Sequence, residues 1–174
     1  MLCNRNLFVV VGSIIYLSMS SMTVYGHEHL SCAPLASNMV SWNKPVSIRS
    51  AQNISNIQHA TIQVGQTINA TLFPTRSVQF PVPTEERGGS VSFAGSLQFN
   101  ITKKSTYRII TDGRPWIEMV QNDKTIPSIK HQHGEKCWGM EKVIDFSLTP
   151  GRHILELTGN GKENIKFIVI PVAE

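Results

Sequence analysis

Beyond its first two dozen residues, the chain has no apolar run long enough to cross a membrane. It also has no basic run interleaved with aromatics and no stretch with the period of an amphipathic helix. The first absence leaves no candidate span in the body of the chain. The second leaves nucleic acid without an electrostatic footprint, because 16 Lys+Arg stand against 12 Asp+Glu and the positive residues are scattered. The third argues against helical bundles and α/β folds. No serine nucleophile elbow, P-loop or dinucleotide fingerprint occurs, so the common sequence routes to acyl transfer, nucleotide hydrolysis and hydride transfer are missing. There is no solenoid repeat and no low-complexity tract. Cysteine is scarce, with three in 174 residues.

What is present begins with an export signal. Arg5 gives a positive start, and residues 7–17 (LFVVVGSIIYL) form an apolar core too short to span a bilayer. Small and polar residues follow, and cleavage is expected after Gly26, leaving residues 1–26 as a cleaved signal peptide. The residues before Cys32 (His29-Leu30-Ser31) do not form a lipobox. The mature chain would begin at His27 and carry 15 Lys+Arg, since only Arg5 is lost, against the same 12 Asp+Glu, a net charge of +3. Cys3 leaves with the signal. Cys32 and Cys137 remain, and an even pair in an exported chain is expected to form a disulfide. Closing a loop of that length stabilises by up to about 4–5 kcal/mol on the chain-entropy model.

Residues 27–60 read as an N-terminal leader packed on the main domain, with Trp42 its anchor. From residue 61 the β signal begins, and residues 61–174 form the domain proper. Residues 61–64 and 67–73 flank Gly65-Gln66 as a hairpin. Ile68, Ala70 and Leu72 alternate with polar neighbours, which predicts one buried face. Pro74, Pro81 and Pro83 leave residues 77–82 an edge strand at best. Further strands are expected at 90–93, 97–101, 106–111, 116–120, 125–129, 143–148, 153–157 and 164–170. Turns fall at 94–96, Asp112-Gly113, 121–124, 149–151 and 159–161. Strands this short and regular predict an all-β, antiparallel, jelly-roll-like β-sandwich of about nine to eleven strands.

The second half resembles a known family. Gly95-Ser96-Leu97-Gln98-Phe99, the corner at Ser105-Thr106-Tyr107, the run Ile117–Lys124 and Thr149-Pro150-Gly151-Arg152-His153 are similar to the bacterial pre-peptidase C-terminal (PPC) type of β-sandwich, over roughly residues 90–170. Ser105 stands where that family's corner usually has glycine, and His153 where an aromatic is common. The resemblance implies a secreted sandwich with an accessory or binding role and no catalytic residues. His131-Gln132-His133 also resembles the H-x-H of cupin metalloenzymes, among them the homogentisate dioxygenases. Here the spacing departs. Thr125 stands where cupins place glycine, and Cys137 and Trp138 where they place glutamate.

The stretch 130–140 (KHQHGEKCWGM) carries the candidate chemistry. Alternate residues of a strand share a face, so His131 and His133 can both approach one ion. Imidazoles suit copper, nickel or zinc. A mature N-terminus His27-Glu28-His29 is itself a chelate for Cu(II) or Ni(II), through its amine, two backbone amides and the His29 imidazole. A Cys32–Cys137 bond would tie both pairs to the same sulfurs. The metal ligands expected are therefore His131, His133, His27 and His29. His153 reads as a packed strand residue, and His59 has no partner nearby in sequence. Glu135, Glu141 and Asp145 read as solvated carboxylates rather than an acid–base pair. Cys137 reads as a bridge rather than a nucleophile. Three Asn-x-Ser/Thr triplets (Asn53, Asn69 and Asn100) matter only in a eukaryotic secretory path. The function expected is an exported, non-catalytic binding or accessory protein of the periplasm or outside medium, partnered by a cell-envelope protein or glycan. The alternatives are a small cupin-like oxygenase or hydrolase and a purely structural envelope module.

Overall fold

In this computed structural model, residues 32–84 and 88–172 are described. The expected signal peptide, His27 and His29 lie outside the described residues. In chain order the strands are β1 (Val46–Arg49), β2 (Thr67–Thr71), β3 (Phe73–Pro74), β4 (Phe93–Ile101), β5 (Ser105–Thr111) and β6 (Trp116–Gln121). They continue as β7 (Lys124–Ile126), β8 (Ser128–His133), β9 (Lys142–Leu148), β10 (Gly151–Asn160) and β11 (Asn164–Pro171). The first sheet runs β1-β2-β11-β5-β9-β8 and the second β3-β4-β10-β6-β7. The chain crosses repeatedly between them, which makes the all-β sandwich that the sequence predicts. Among the named strands every pairing is antiparallel except β1 with β2, which run parallel from Val46↔Ile68 to Arg49↔Thr71.

Alternation builds the core. Ile68 and Ala70 of β2, Leu97 and Phe99 of β4, Phe146 and Leu148 of β9 and Leu155 and Leu157 of β10 meet between the sheets. Burying each large side chain contributes roughly 1.5–3 kcal/mol. The outer faces are covered too. The 3-10 helix Ser37–Asn43 places Trp42 on Ile110, Val143, Ile168 and Ile170 of the first sheet. The 3-10 helix Ile54–Ala60 sets Ile57 and Ala60, with Ala51 and Val82, against Val120 and Ile154 of the second. The described part of the expected leader thus supplies a strand and two covers.

Two local expectations change. Residues 94–96 are not a turn, because β4 runs unbroken from Phe93 to Ile101. Gly95 is needed for approach rather than for turning: a Cβ there would collide with the side chain of Ser50. Residues 61–64 do not pair with β2 as a hairpin. Gly65 turns with φ +85°, and β2 instead pairs with β1 and β11. Residues 77–82, read as at best an edge strand, form none; the 3-10 turn Thr75–Ser77 leads into irregular chain.

Candidate functional site

β8 is the edge of the first sheet, paired only with β9, and all six of its residues are exposed. It is reached from β7, at the edge of the second sheet, through Pro127. The strand geometry holds through His133. His131 lies opposite Ile144 and His133 opposite Lys142, which puts both imidazoles on one side of the sheet. They share a small groove of about 150 Å³ with Arg114, Glu141 and Lys142. Among the described residues, neither imidazole has a hydrogen-bond partner.

The groove's other charges are partly satisfied. The Arg114 guanidinium donates to Glu141 Oε2 at 3.0 Å, an exposed pair of small energetic worth. Lys142 Nζ donates to the Pro115 carbonyl at 2.7 Å and stands 5.8 Å from the centre of the Trp116 ring. Burial pushes the Lys142 ammonium below its ordinary pKa. The groove therefore presents two free imidazoles beside one compensated and one tethered cation.

The loop after β8 fixes this edge. Gly134 approaches Met140 so closely that a Cβ would lie 2.7 Å from its backbone. A 3-10 turn, Lys136–Trp138, ends at Gly139 with φ +68°. Cys137 on that turn stands at bonding distance from Cys32, with Cα atoms 5.7 Å apart. Two indoles flank the cross-link. Trp138 Nε1 donates to the Ala33 carbonyl at 2.9 Å, and Trp42 Nε1 to the Trp138 carbonyl at 2.9 Å. The bond occupies both thiols, so Cys137 is not available as a nucleophile.

The remaining candidates separate. Asp145 is buried and accepts two hydrogen bonds from Arg108, at 2.8 and 2.9 Å. That pairing corrects its reading as a solvated carboxylate. Glu141 is likewise held, by Arg114. His153 is fully buried and stacked on Phe99, 5.8 Å between ring centres, with Nδ1 on the Gly151 carbonyl at 3.1 Å. Burial lowers its pKa. His59 is exposed on the 3-10 helix Ile54–Ala60. Among the described residues, no three His, Cys, Asp or Glu side chains come together as metal ligands, and no helix is long and apolar enough to cross a membrane.

The sequence reading missed Arg114 and Lys142. Arg114 comes from the loop between β5 and β6 and Lys142 from the start of β9, and they meet only in the fold. It also missed a buried carboxyl, Glu156, opposite Glu118 on the second sheet. The available signal was a lone glutamate in each of two apolar runs, Ile154-Leu155-Glu156-Leu157 and Ile117-Glu118-Met119.

Fold and site together define a β-sandwich clamped by one cystine, with a histidine-lined groove open at a sheet edge. The chain matches no known family model and none of the curated proteins with which it was compared.

Proposed function

We propose that the chain is an exported, non-catalytic sandwich of PPC-like type that binds a transition metal ion at its β8 edge. One observation carries this reading: His131 and His133 lie side by side on a regular strand, exposed and without partners. Two imidazoles on alternate strand positions are a bidentate nitrogen donor suited to copper, nickel or zinc. The pairing of Arg114 with Glu141 offsets one of the groove's two cations, and burial disfavours the charged form of the other, Lys142. Two protein ligands leave coordination positions open for a partner's donor groups, which fits an accessory role towards a cell-envelope protein or glycan. The export reading rests on the sequence of residues 1–26 and on a cysteine pair suited to an oxidising compartment.

The cupin-like alternative needs its histidines inside a barrel. Here they sit on an exposed edge strand of an open two-sheet sandwich, which favours binding over catalysis.

Isothermal titration of the mature protein with Cu(II), Ni(II) and Zn(II) tests the reading. The double variant His131→Ala/His133→Ala should lose at least tenfold in affinity for one of them. A second form beginning after residue 29 measures any share due to His27 and His29. Wild-type affinity in the double variant would remove the β8 edge from the proposal.

A further inference from the structure

On the second sheet, β6 and β10 place Glu118 directly opposite Glu156, and β4 places Ser96 opposite Glu156 from the other side. All three occupy the outward-facing set of positions that includes Val120 and Ile154. Glu156 has no exposed surface. Both of its carboxyl oxygens, Glu118 Oε2 and Ser96 Oγ are buried without hydrogen-bond partners of ordinary geometry. Three unpaired carboxyl oxygens beside a single serine hydroxyl, which can donate to only one of them, are costly. Two facing carboxylates in such a place cannot both ionise cheaply. A single proton converts one of them into a donor for the other.

The surrounding elements bring no compensating charge among the described residues. β4 offers Ser96 and Gln98. The covering segment, residues 78–84 (VQFPVPT), is uncharged. The 3-10 helix above contributes only His59, which is exposed. Arg152, the nearest cation on this face of β10, is four residues along the strand, roughly 13 Å away. The covering segment is anchored at both ends, where Val78 and Thr84 are buried and the Val78 N–H donates to the Thr75 carbonyl at 3.1 Å. Its Gln79 N–H donates to the Gln52 carbonyl at 2.7 Å, Val82 packs against the cluster under the helix, and the segment has no regular structure, with Pro81 and Pro83 lacking N–H groups. A segment without ladder hydrogen bonds opens more readily than the strands beneath it.

We propose that Glu156 holds a proton against the facing carboxylate of Glu118, and that this acid pair latches residues 78–84 over the second sheet. While Glu156 keeps its proton the segment stays docked. When the proton leaves, the carboxylate seeks water and the segment lifts.

The electrostatics agree with this geometry. Glu156 is pushed up to about 7, by burial first and by the facing charge of Glu118 second, with the Val82 N–H opposing. Once the segment lifts, hydration moves Glu156 down towards its ordinary value of 4.5. The docked state then binds the extra proton between those values. The opening equilibrium rises with pH up to about 7 and levels off above it.

Hydrogen–deuterium exchange on the full mature chain, from pH 5 to 8 and corrected for intrinsic chemical exchange, tests the latch. Peptides covering residues 78–84 should open up to about 40-fold more at pH 7 than at pH 5, while peptides from β11 stay protected throughout. Glu156→Gln, neutral and isosteric, should keep the segment docked and flatten the profile. Glu118→Gln should move the rise to lower pH, because the charge that holds the proton on is gone. A flat wild-type profile, an unchanged rise in Glu156→Gln, or β11 opening in parallel with residues 78–84 would each overturn the proposal.

Discussion

Removing the Cys32–Cys137 cross-link is the most direct probe of this fold. The bond closes a separation of 105 residues, and the chain-entropy model values such a loop at about 4.8 kcal/mol at 25 °C. Replacing both cysteines with serine leaves the flanking contacts in place. Trp42 stays buried under the first sheet, Trp138 still reaches Ala33, and Trp42 still reaches Trp138. The double variant should therefore fold and melt earlier. For a unit of roughly 140 residues, the unfolding entropy near 60 °C is about 0.3 kcal/mol/K, so the expected fall in Tm is about 13–16 °C. Scanning calorimetry of the wild type, the wild type under reductant and Cys32→Ser/Cys137→Ser measures it. The two reduced forms should melt together. A fall of less than about 3 °C would refute the entropic account, and a difference between the two reduced forms would show that the serines act by something other than loss of the bond.

Two further substitutions test the packing. Trp42→Ala empties the site over Ile110, Val143, Ile168 and Ile170 and should cost about 3–5 kcal/mol by urea denaturation; a cost below about 1 kcal/mol would show that residues 37–43 are not a structural cover. His153→Phe replaces a buried imidazole whose Nε2 has no partner. Since burial lowers the folded-state pKa of His153, the unfolded chain takes a proton below about 6.5 that the folded chain refuses, and wild-type stability is lost as pH falls through that value. The Phe variant lacks this loss, so its Tm advantage over the wild type should widen from pH 7.5 down to pH 5, and a constant difference would count against a neutral buried histidine. Glu156 slopes the other way, with its stabilising proton lost as pH rises from about 4.5 to 7, so wild-type melting alone does not separate the two and paired variants are required.

Much of the fold was legible because the sandwich writes its faces at a period of two. Ile68, Ala70 and Leu72 turn inward as their spacing predicts, and Asn122 and Asp123 make the turn expected at 121–124, with φ of 51° and 57°. The His131–His133 pairing on one side of a strand was legible for the same reason, whereas the partnership of two lone cysteines was legible from their number. What failed depended on distant chain. Gly95 carries the local signature of a turn, but its missing side chain is needed by Ser50, 45 positions earlier. β2 was assigned its sequence neighbour, whereas its parallel partner β1 lay in the segment read as a leader. Arg114 and Lys142 reach the histidine groove from elements with no local motif. Glu118 and Glu156 face each other only because β6 and β10 are adjacent, and adjacency of strands is set by topology rather than by any single stretch.

The cystine also determines how the fold bears mechanical load. A pull on the chain ahead of Cys32 does not have to pass through the 3-10 helix Ser37–Asn43 or strip the four parallel pairs of β1. It crosses covalently to Cys137 and enters the sheet between β8 and β9, beside the histidine groove. A tether on that side of the molecule would therefore strain the β8–β9 edge first and leave Trp42 seated, whereas in the reduced protein the same tension would unzip the cover from its N-terminal end.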